Sequence, residues 1–167
     1  MAAHKGFTIE VTSRYEEWWR YNVALMCGCF DAEERRTGFA SAASEVAGVG
    51  SNLPERPAEI PAFRTARLTT GPCDHLVLYI YIVPHTLPAG NDIDATRPFE
   101  IDLKIACDGR RIRSEKRRIN QWSGASIELR VDSHEQSAAA GSRHPFRSRG
   151  GRFRKKPGPF YGGKNEM

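Results

Sequence analysis

The 167-residue chain has room for one domain and an appended segment, and a 40% share of hydrophobic residues is enough to build a core. Its formal net charge of +5 is lopsided: residues 1–132 hold 17 Lys/Arg against 18 Asp/Glu, and residues 133–167 hold 8 against 2. The longest strongly apolar run, Leu76–Val83, falls far short of the roughly 20 residues that span a bilayer, which excludes a transmembrane helix.

"MAAHKGFTIEVTSRYEEWWR" lacks the apolar stretch of a signal peptide, so an intracellular protein, cytoplasmic or nuclear, is expected. In such a compartment Cys27, Cys29, Cys73 and Cys107 are expected as free thiols. "FTIEVT" at Phe7–Thr12 alternates Phe7, Ile9 and Val11 with polar residues and predicts a half-buried strand. "SRYEEWWRYNVALMCGCF" fits two periods at once. Ser13 and Glu16 have capping-box spacing and Tyr15, Trp18, Trp19, Asn22 and Val23 follow a helix. Trp19, Tyr21, Val23, Leu25, Cys27 and Cys29 alternate as in a strand. The reading adopted is a helical start that gives way to an extended segment.

Asp31 and Glu34 repeat the capping pattern ahead of the Ala- and Glu-rich "DAEERRTGFASAASEVAG". That composition predicts a helix over 32–47, stopped by Gly48. Pro54, Pro57 and Pro61 then impose an extended connector. "FRTARLTT" and "HLVLYIYIV" read as strands around a "GPCD" turn, and Leu76–Val83 is apolar on both faces, as in a strand covered on each side. After a loop over 84–98, "FEIDLKIAC" puts Phe99, Ile101, Leu103, Ile105 and Cys107 on one face. Asp108-Gly109 signals a type I′ hairpin, "RRIRSEKRRI" returns, and "SG" at 123–124 leads to "SIELRV", with Ile127, Leu129 and Val131 facing inward. These three strands are expected to form an antiparallel meander.

The fold class is therefore mainly β, with α+β as the alternative. The expected architecture is a small antiparallel β-sandwich with one or two helices in the N-terminal half. A single domain over 1–132 is followed by a flexible basic Arg/Gly-rich tail over 133–167, whose Gly, Ser, Pro and Arg cannot offset their ordering entropy with a core.

The chemistry that stands out is cationic. In the tail Arg143, Arg147, Arg149, Arg152, Arg154, Lys155 and Lys156 are interleaved with Phe146, Phe153, Phe160 and Tyr161. Phosphates attract such cations, and unpaired bases stack on aromatic rings or guanidinium planes. "RSRGGRFR" resembles the Arg-Gly-rich tails of RNA-binding proteins, a resemblance that implies RNA as the partner. The same composition also suits an acidic protein, an anionic lipid surface, or a tail that only solubilises. A second cluster, Arg110, Arg111, Arg113, Lys116, Arg117 and Arg118, lies on one predicted strand. Arg111, Arg113 and Arg117 are expected to share a face with Glu115, and Lys116 and Arg118 to lie opposite. The strand is either a basic stripe that continues the tail's footprint or a charged edge that discourages aggregation.

No metal site is expected. His75 and His85 flank a strand that separates them by roughly 30 Å. Cys27-x-Cys29 has no partner pair at zinc spacing, and Asp92 and Asp94 in "NDID" read as a polar turn ahead of a weak Ca²⁺ loop. No phosphate-loop, nucleophile-elbow or zincin motif is present, so neither catalysis nor a cofactor is expected. Trp18, Trp19 and Trp122 read as core or interface.

The function expected is that of a non-enzymatic structural or assembly protein. Its β domain makes protein–protein contacts or self-associates, and its tail binds RNA, a nucleoprotein or an anionic membrane surface. Small viral matrix-type or accessory proteins share this organisation at the level of analogy. The alternative is a cytosolic subunit of a larger secretion or phage-like machine that works through protein contacts.

Overall fold

The computed structural model describes residues 6–89, 93–94 and 96–136. Eight strands follow in chain order: β1 (Phe7–Thr12), β2 (Tyr21–Phe30), β3 (Arg36–Ser44), β4 (Ala66–Thr69), β5 (His75–Pro84), β6 (Phe99–Cys107), β7 (Arg110–Ile119) and β8 (Ala125–Asp132). They form two antiparallel four-stranded sheets, ordered β4-β1-β6-β7 and β3-β2-β5-β8. Alternation drives this arrangement. Phe7, Ile9 and Val11 of β1, Val23, Leu25 and Cys27 of β2, and Ile101, Leu103 and Ile105 of β6 are all buried in one common core. Each such side chain contributes about 1.5–3 kcal/mol on burial.

The two N-terminal helices are not formed. Only a single 3₁₀ turn, Trp18–Arg20, precedes β2, and strand alternation wins over the helical period from Tyr21 onward. Ser13 does not cap a helix: its hydroxyl donates to the Glu100 carbonyl (2.6 Å) and accepts from the Tyr15 N–H (3.1 Å). The helix expected over 32–47 is instead a hairpin return and β3. The Asp31 carboxylate accepts from the Glu33 and Arg35 amides (3.0 and 2.9 Å), which closes a tight loop rather than opening a helix. "GFASAAS" has no large apolar stripe for a helix to bury. As a strand it lays Ala40 and Ala42 against the core, opposite Cys27 and Leu25.

The second half keeps every expected strand but not the meander. Asp108 and Gly109 both adopt positive φ (51° and 79°) and join β6 to β7 as a hairpin. β8 then leaves that sheet and pairs with β5 in the other. The crossing occurs at Gly124 (φ 68°), where an added Cβ would stand 1.9 Å from the Ile82 carbonyl oxygen, so no side chain fits. β5 is central within its sheet, yet it is not covered on both sides. Leu76, Leu78, Ile80 and Ile82 are buried, whereas Val77, Tyr79 and Tyr81 are only half-buried and Val83 is exposed. All four cysteines are free. No helix among the described residues is long and apolar enough to cross a membrane.

Candidate functional site

β7 lies at the edge of its sheet and carries all six cations of the second cluster. A bulge changes their expected facing. Arg113 stands opposite Ile105, but Arg111 stands opposite Ala106, with Ile112 as the extra residue, so Arg111 turns to the outer face. Arg113, Glu115 and Arg117 share the core-side face opposite Ile105, Leu103 and Ile101; Lys116 and Arg118 look outward.

Several of these cations are engaged internally. Arg113 grips the Glu135 carboxylate through Nη2 (2.7 and 2.9 Å) and Nε (3.2 Å), while Arg110 donates to the carbonyls of Ser133 and Glu135. Arg117 pairs with Glu115 (3.1 Å), and Lys116 sits between Glu100 (3.5 Å) and Asp102 (3.9 Å). Arg111, with Arg67 and Lys104, surrounds Glu10 in a shallow depression of about 310 Å³. Arg143, Arg147, Arg149, Arg152, Phe153, Arg154, Lys155, Lys156, Phe160 and Tyr161 lie outside the described residues.

The two outer sheet faces differ in kind. On the β4-β1-β6-β7 sheet, register sets Arg67 beside Glu10, Glu10 beside Lys104, and Asp102 beside Lys116, a surface of ion pairs. On the β3-β2-β5-β8 sheet the same registers align Ala43, Ala24 and Tyr81, then Ser41, Met26 and Tyr79, then Phe39, Gly28 and Val77. Phe39 is 65% exposed and Val83 39%. A largely apolar and aromatic strip, broken by Ser41 and Asn22, thus faces outward, bordered by Arg36, Glu128 and Arg130. The apolar positions were legible in the sequence; their facing away from the core was not.

At one end of that sheet sits a second arrangement, invisible to local spacing because its members are far apart in the chain. His75 is 1% exposed and its ring stacks on Phe30 (centroids 5.4 Å, 7° between planes). Its Nδ1 lies 3.0 Å from Asp74 Oδ2 and its Nε2 3.1 Å from Glu34 Oε2. Cross-strand pairing brings Asp132 opposite His75. One donor or acceptor atom from each of Asp74, His75 and Asp132 fits within 4.8 Å of the others. His134 Nε2 approaches Asp74 Oδ1 to 3.8 Å. Arg130 donates to Glu34 (2.8 Å), a bond that holds the Glu34 carboxyl below its ordinary value. A concavity of about 270 Å³ adjoins, lined by Asp31, Thr37, Cys73, Asp74, Ser133 and His134 among others. Burial pushes the Cys27 and Cys73 thiols up to about 12, so neither is a ready nucleophile at neutral pH.

The other end of β5 is built differently. His85, also 1% exposed, has Nε2 2.7 Å from the Trp19 carbonyl oxygen and Nδ1 2.8 Å from the Thr86 hydroxyl. A neutral ring satisfies both: Nε2–H donates to the carbonyl and Nδ1 accepts from Thr86. Burial, ahead of any other cause, pushes this imidazole below its ordinary value. Arg64 is buried nearby, and among the described residues no carboxylate pairs with it. Its guanidinium donates to the Trp18 carbonyl (3.0 Å), the Tyr21 carbonyl and the Ser44 hydroxyl (2.9 Å), and lies 5.0 Å above the Trp18 ring. Desolvation pulls it down to about 10.

No family model matches the chain, and no curated protein does. Among solved structures it is similar to a domain of unknown function, DUF4425, from Bacteroides vulgatus, at 8% identity and a TM-score of 0.38, over 76% of this chain and 95% of that one. A DUF4425 family protein from Bacteroides ovatus aligns at 5% identity and a TM-score of 0.30, over 76% and 93% of the respective chains.

Proposed function

We propose that this is a non-enzymatic assembly protein, a small β-sandwich that self-associates through the outer face of β3-β2-β5-β8 and binds RNA through the cationic segment Arg143–Lys156. One observation carries the reading: the face that should be polar if it met only water is apolar and aromatic, while the opposite outer face is tiled with ion pairs. Three strands at about 4.8 Å spacing and nine residues at about 3.3 Å rise give a patch of roughly 430 Å² per copy, with Ser126, Glu128 and Arg130 of β8 as its polar border. Two copies bury about 850 Å², below the roughly 1,000 Å² of a stable specific interface, which fits a second copy of the chain held weakly and reversibly. RNA binding is supported by the charge pattern. Residues 133–167 hold 8 Lys/Arg against 2 Asp/Glu, and among the described residues Glu10, Glu17, Glu34, Glu115 and Glu135 pair with cations of the body.

Light scattering before and after nuclease treatment separates the two contacts. A nuclease-resistant dimer that Phe39→Asp with Val83→Asp converts to monomer supports the first; both residues are exposed, so the fold tolerates the change. A nuclease-sensitive larger species that disappears when 141–167 are removed supports the second. Six to eight phosphate contacts give a salt slope of about −4 to −6 in log–log form for single strands. Unchanged RNA affinity in the shortened chain overturns the RNA assignment, and a monomer at all concentrations overturns self-association.

A further inference from the structure

We propose that Asp74, His75 and Asp132 form a binding site for a divalent transition-metal ion of the zinc type, with His134 as the fourth ligand and Glu34 as the outer hydrogen-bond partner of His75. The argument begins with donors and acceptors. A neutral imidazole has one N–H, yet both ring nitrogens of the buried His75 meet carboxylate oxygens, at 3.0 and 3.1 Å. One of those contacts therefore sets lone pair against lone pair, unless a second proton or a metal ion stands between them.

A metal on the Nδ1 side resolves this without charging the ring. The Nδ1 lone pair and an Asp74 oxygen face the ion, and Nε2–H donates to Glu34. That is the carboxylate–histidine–metal arrangement, in which the outer carboxylate fixes the tautomer and raises the basicity of the ligand. Glu34 is placed for the role at some cost. Its φ of 61° is unusual for a non-glycine residue, and two Arg130 bonds hold its carboxylate, which lies 3.1 Å from Nε2. Stacking on Phe30 fixes the ring plane, so little motion remains to be frozen on binding.

Spacing agrees. Two ligand atoms about 2.0 Å from one tetrahedral ion stand roughly 3.3 Å apart. Here Nδ1 and Asp74 Oδ2 are 3.0 Å apart, and one ligand atom from each of Asp74, His75 and Asp132 lies within 4.8 Å of the others. His134 Nε2 stands 3.8 Å from the other Asp74 oxygen and outside that group of three, so its exposed ring has to swing in to complete the tetrahedron. Two imidazoles and two carboxylates select zinc-like ions over Ca²⁺ or Mg²⁺, which prefer oxygen alone, and over Cu⁺, which prefers sulfur. His134 is 82% exposed and lines the adjoining concavity with Asp74, which leaves an entry path and a ligand that can swing in last.

The test uses the full chain stripped with chelator and titrated with Zn²⁺ alone, then with Co²⁺ as a visible-absorbing substitute. The expected result is one equivalent bound, a rise in Tm, and a Co²⁺ d–d spectrum of a tetrahedral N/O site. Asp132→Asn should abolish the spectrum, while His134→Ala and Glu34→Gln should each weaken binding by 10–100-fold. His75→Gln is the direct variant; should it fail to fold, the exposed His134 and part-exposed Asp132 variants still decide. Absence of a tetrahedral Co²⁺ spectrum overturns the proposal, as does binding indifferent to Asp132 and His134. So do His75 ring-nitrogen NMR signals that are the same with chelator and with Zn²⁺, because the second proton alone then answers the two carboxylates.

Discussion

The two ends of β5 pose the same problem and solve it in opposite ways. Each buries a histidine to 1% exposure. Around His85 the partners are uncharged, a backbone carbonyl and a threonine hydroxyl, and even the guanidinium of Arg64 is met by carbonyl and hydroxyl dipoles. Around His75 the partners are carboxylates from three different segments, next to a concavity. A neutral ring completes the first site. At the second a neutral ring leaves one of its two carboxylate contacts without a proton, a gap that a second ring proton or a bound cation would fill.

The largest expected break in this comparison is Arg64→Ala. It removes a side chain packed on Trp18 and takes a charged donor from the Trp18 and Tyr21 carbonyls, of which the Trp18 carbonyl keeps the Tyr21 N–H, for a loss of about 2–4 kcal/mol. Urea unfolding with an unchanged m-value reads it. Arg130→Ala at the His75 end removes an exposed guanidinium and should fall within the scatter of a surface substitution. Comparable losses from the two variants would show that both ends bear the fold equally.

A smaller effect concerns pH. His85 is pushed below its ordinary 6.5 by burial, so between 6.5 and its native value the unfolded chain binds a proton that the folded chain refuses. Stability from this residue is full above pH 6.5 and declines as the pH falls below it. Unfolding midpoints measured from pH 8 to pH 5 should drop less steeply in His85→Asn than in the parent. Parallel curves would mean that His85 protonates without cost.

How much of this was readable in advance follows from which interactions are local. The Asp108-Gly109 turn and the alternation of β6 depend on neighbours in sequence, and both stood where expected. Residues 32–47 misled because Ala and Glu propensity is weak, about 0.5 kcal/mol or less per residue, against a pairing with β2 that sequence does not display. β5 was legible as apolar on both faces but not as open on one, since burial depends on what packs above it. The basic strand was visible, whereas the pairing of Arg113 with Glu135, 22 positions away, was not. The His75 cluster escaped notice for a similar reason: Asp74 and Asp132 meet only through the β5–β8 register.

The smallest expected effect tests whether the His75 end is held from outside its own ring of carboxylates. Arg113 binds Glu135 through a fork of contacts, and Glu135 also accepts from the Asp132 amide (3.2 Å). His134 lies between these two anchored residues, so the clamp decides where its imidazole can reach. Arg113→Lys keeps the charge but loses the planar fork, for about 0.5–1 kcal/mol. Hydrogen exchange at 132–135 should quicken while β5 and β6 stay protected. Zn²⁺ affinity should fall severalfold, because His134 must then be ordered on binding. Unchanged exchange at 132–135 would show that the backbone bond from the Ser133 amide to the Asp74 carbonyl (2.9 Å) suffices to fix this corner, and that the arginine fork adds charge balance rather than position.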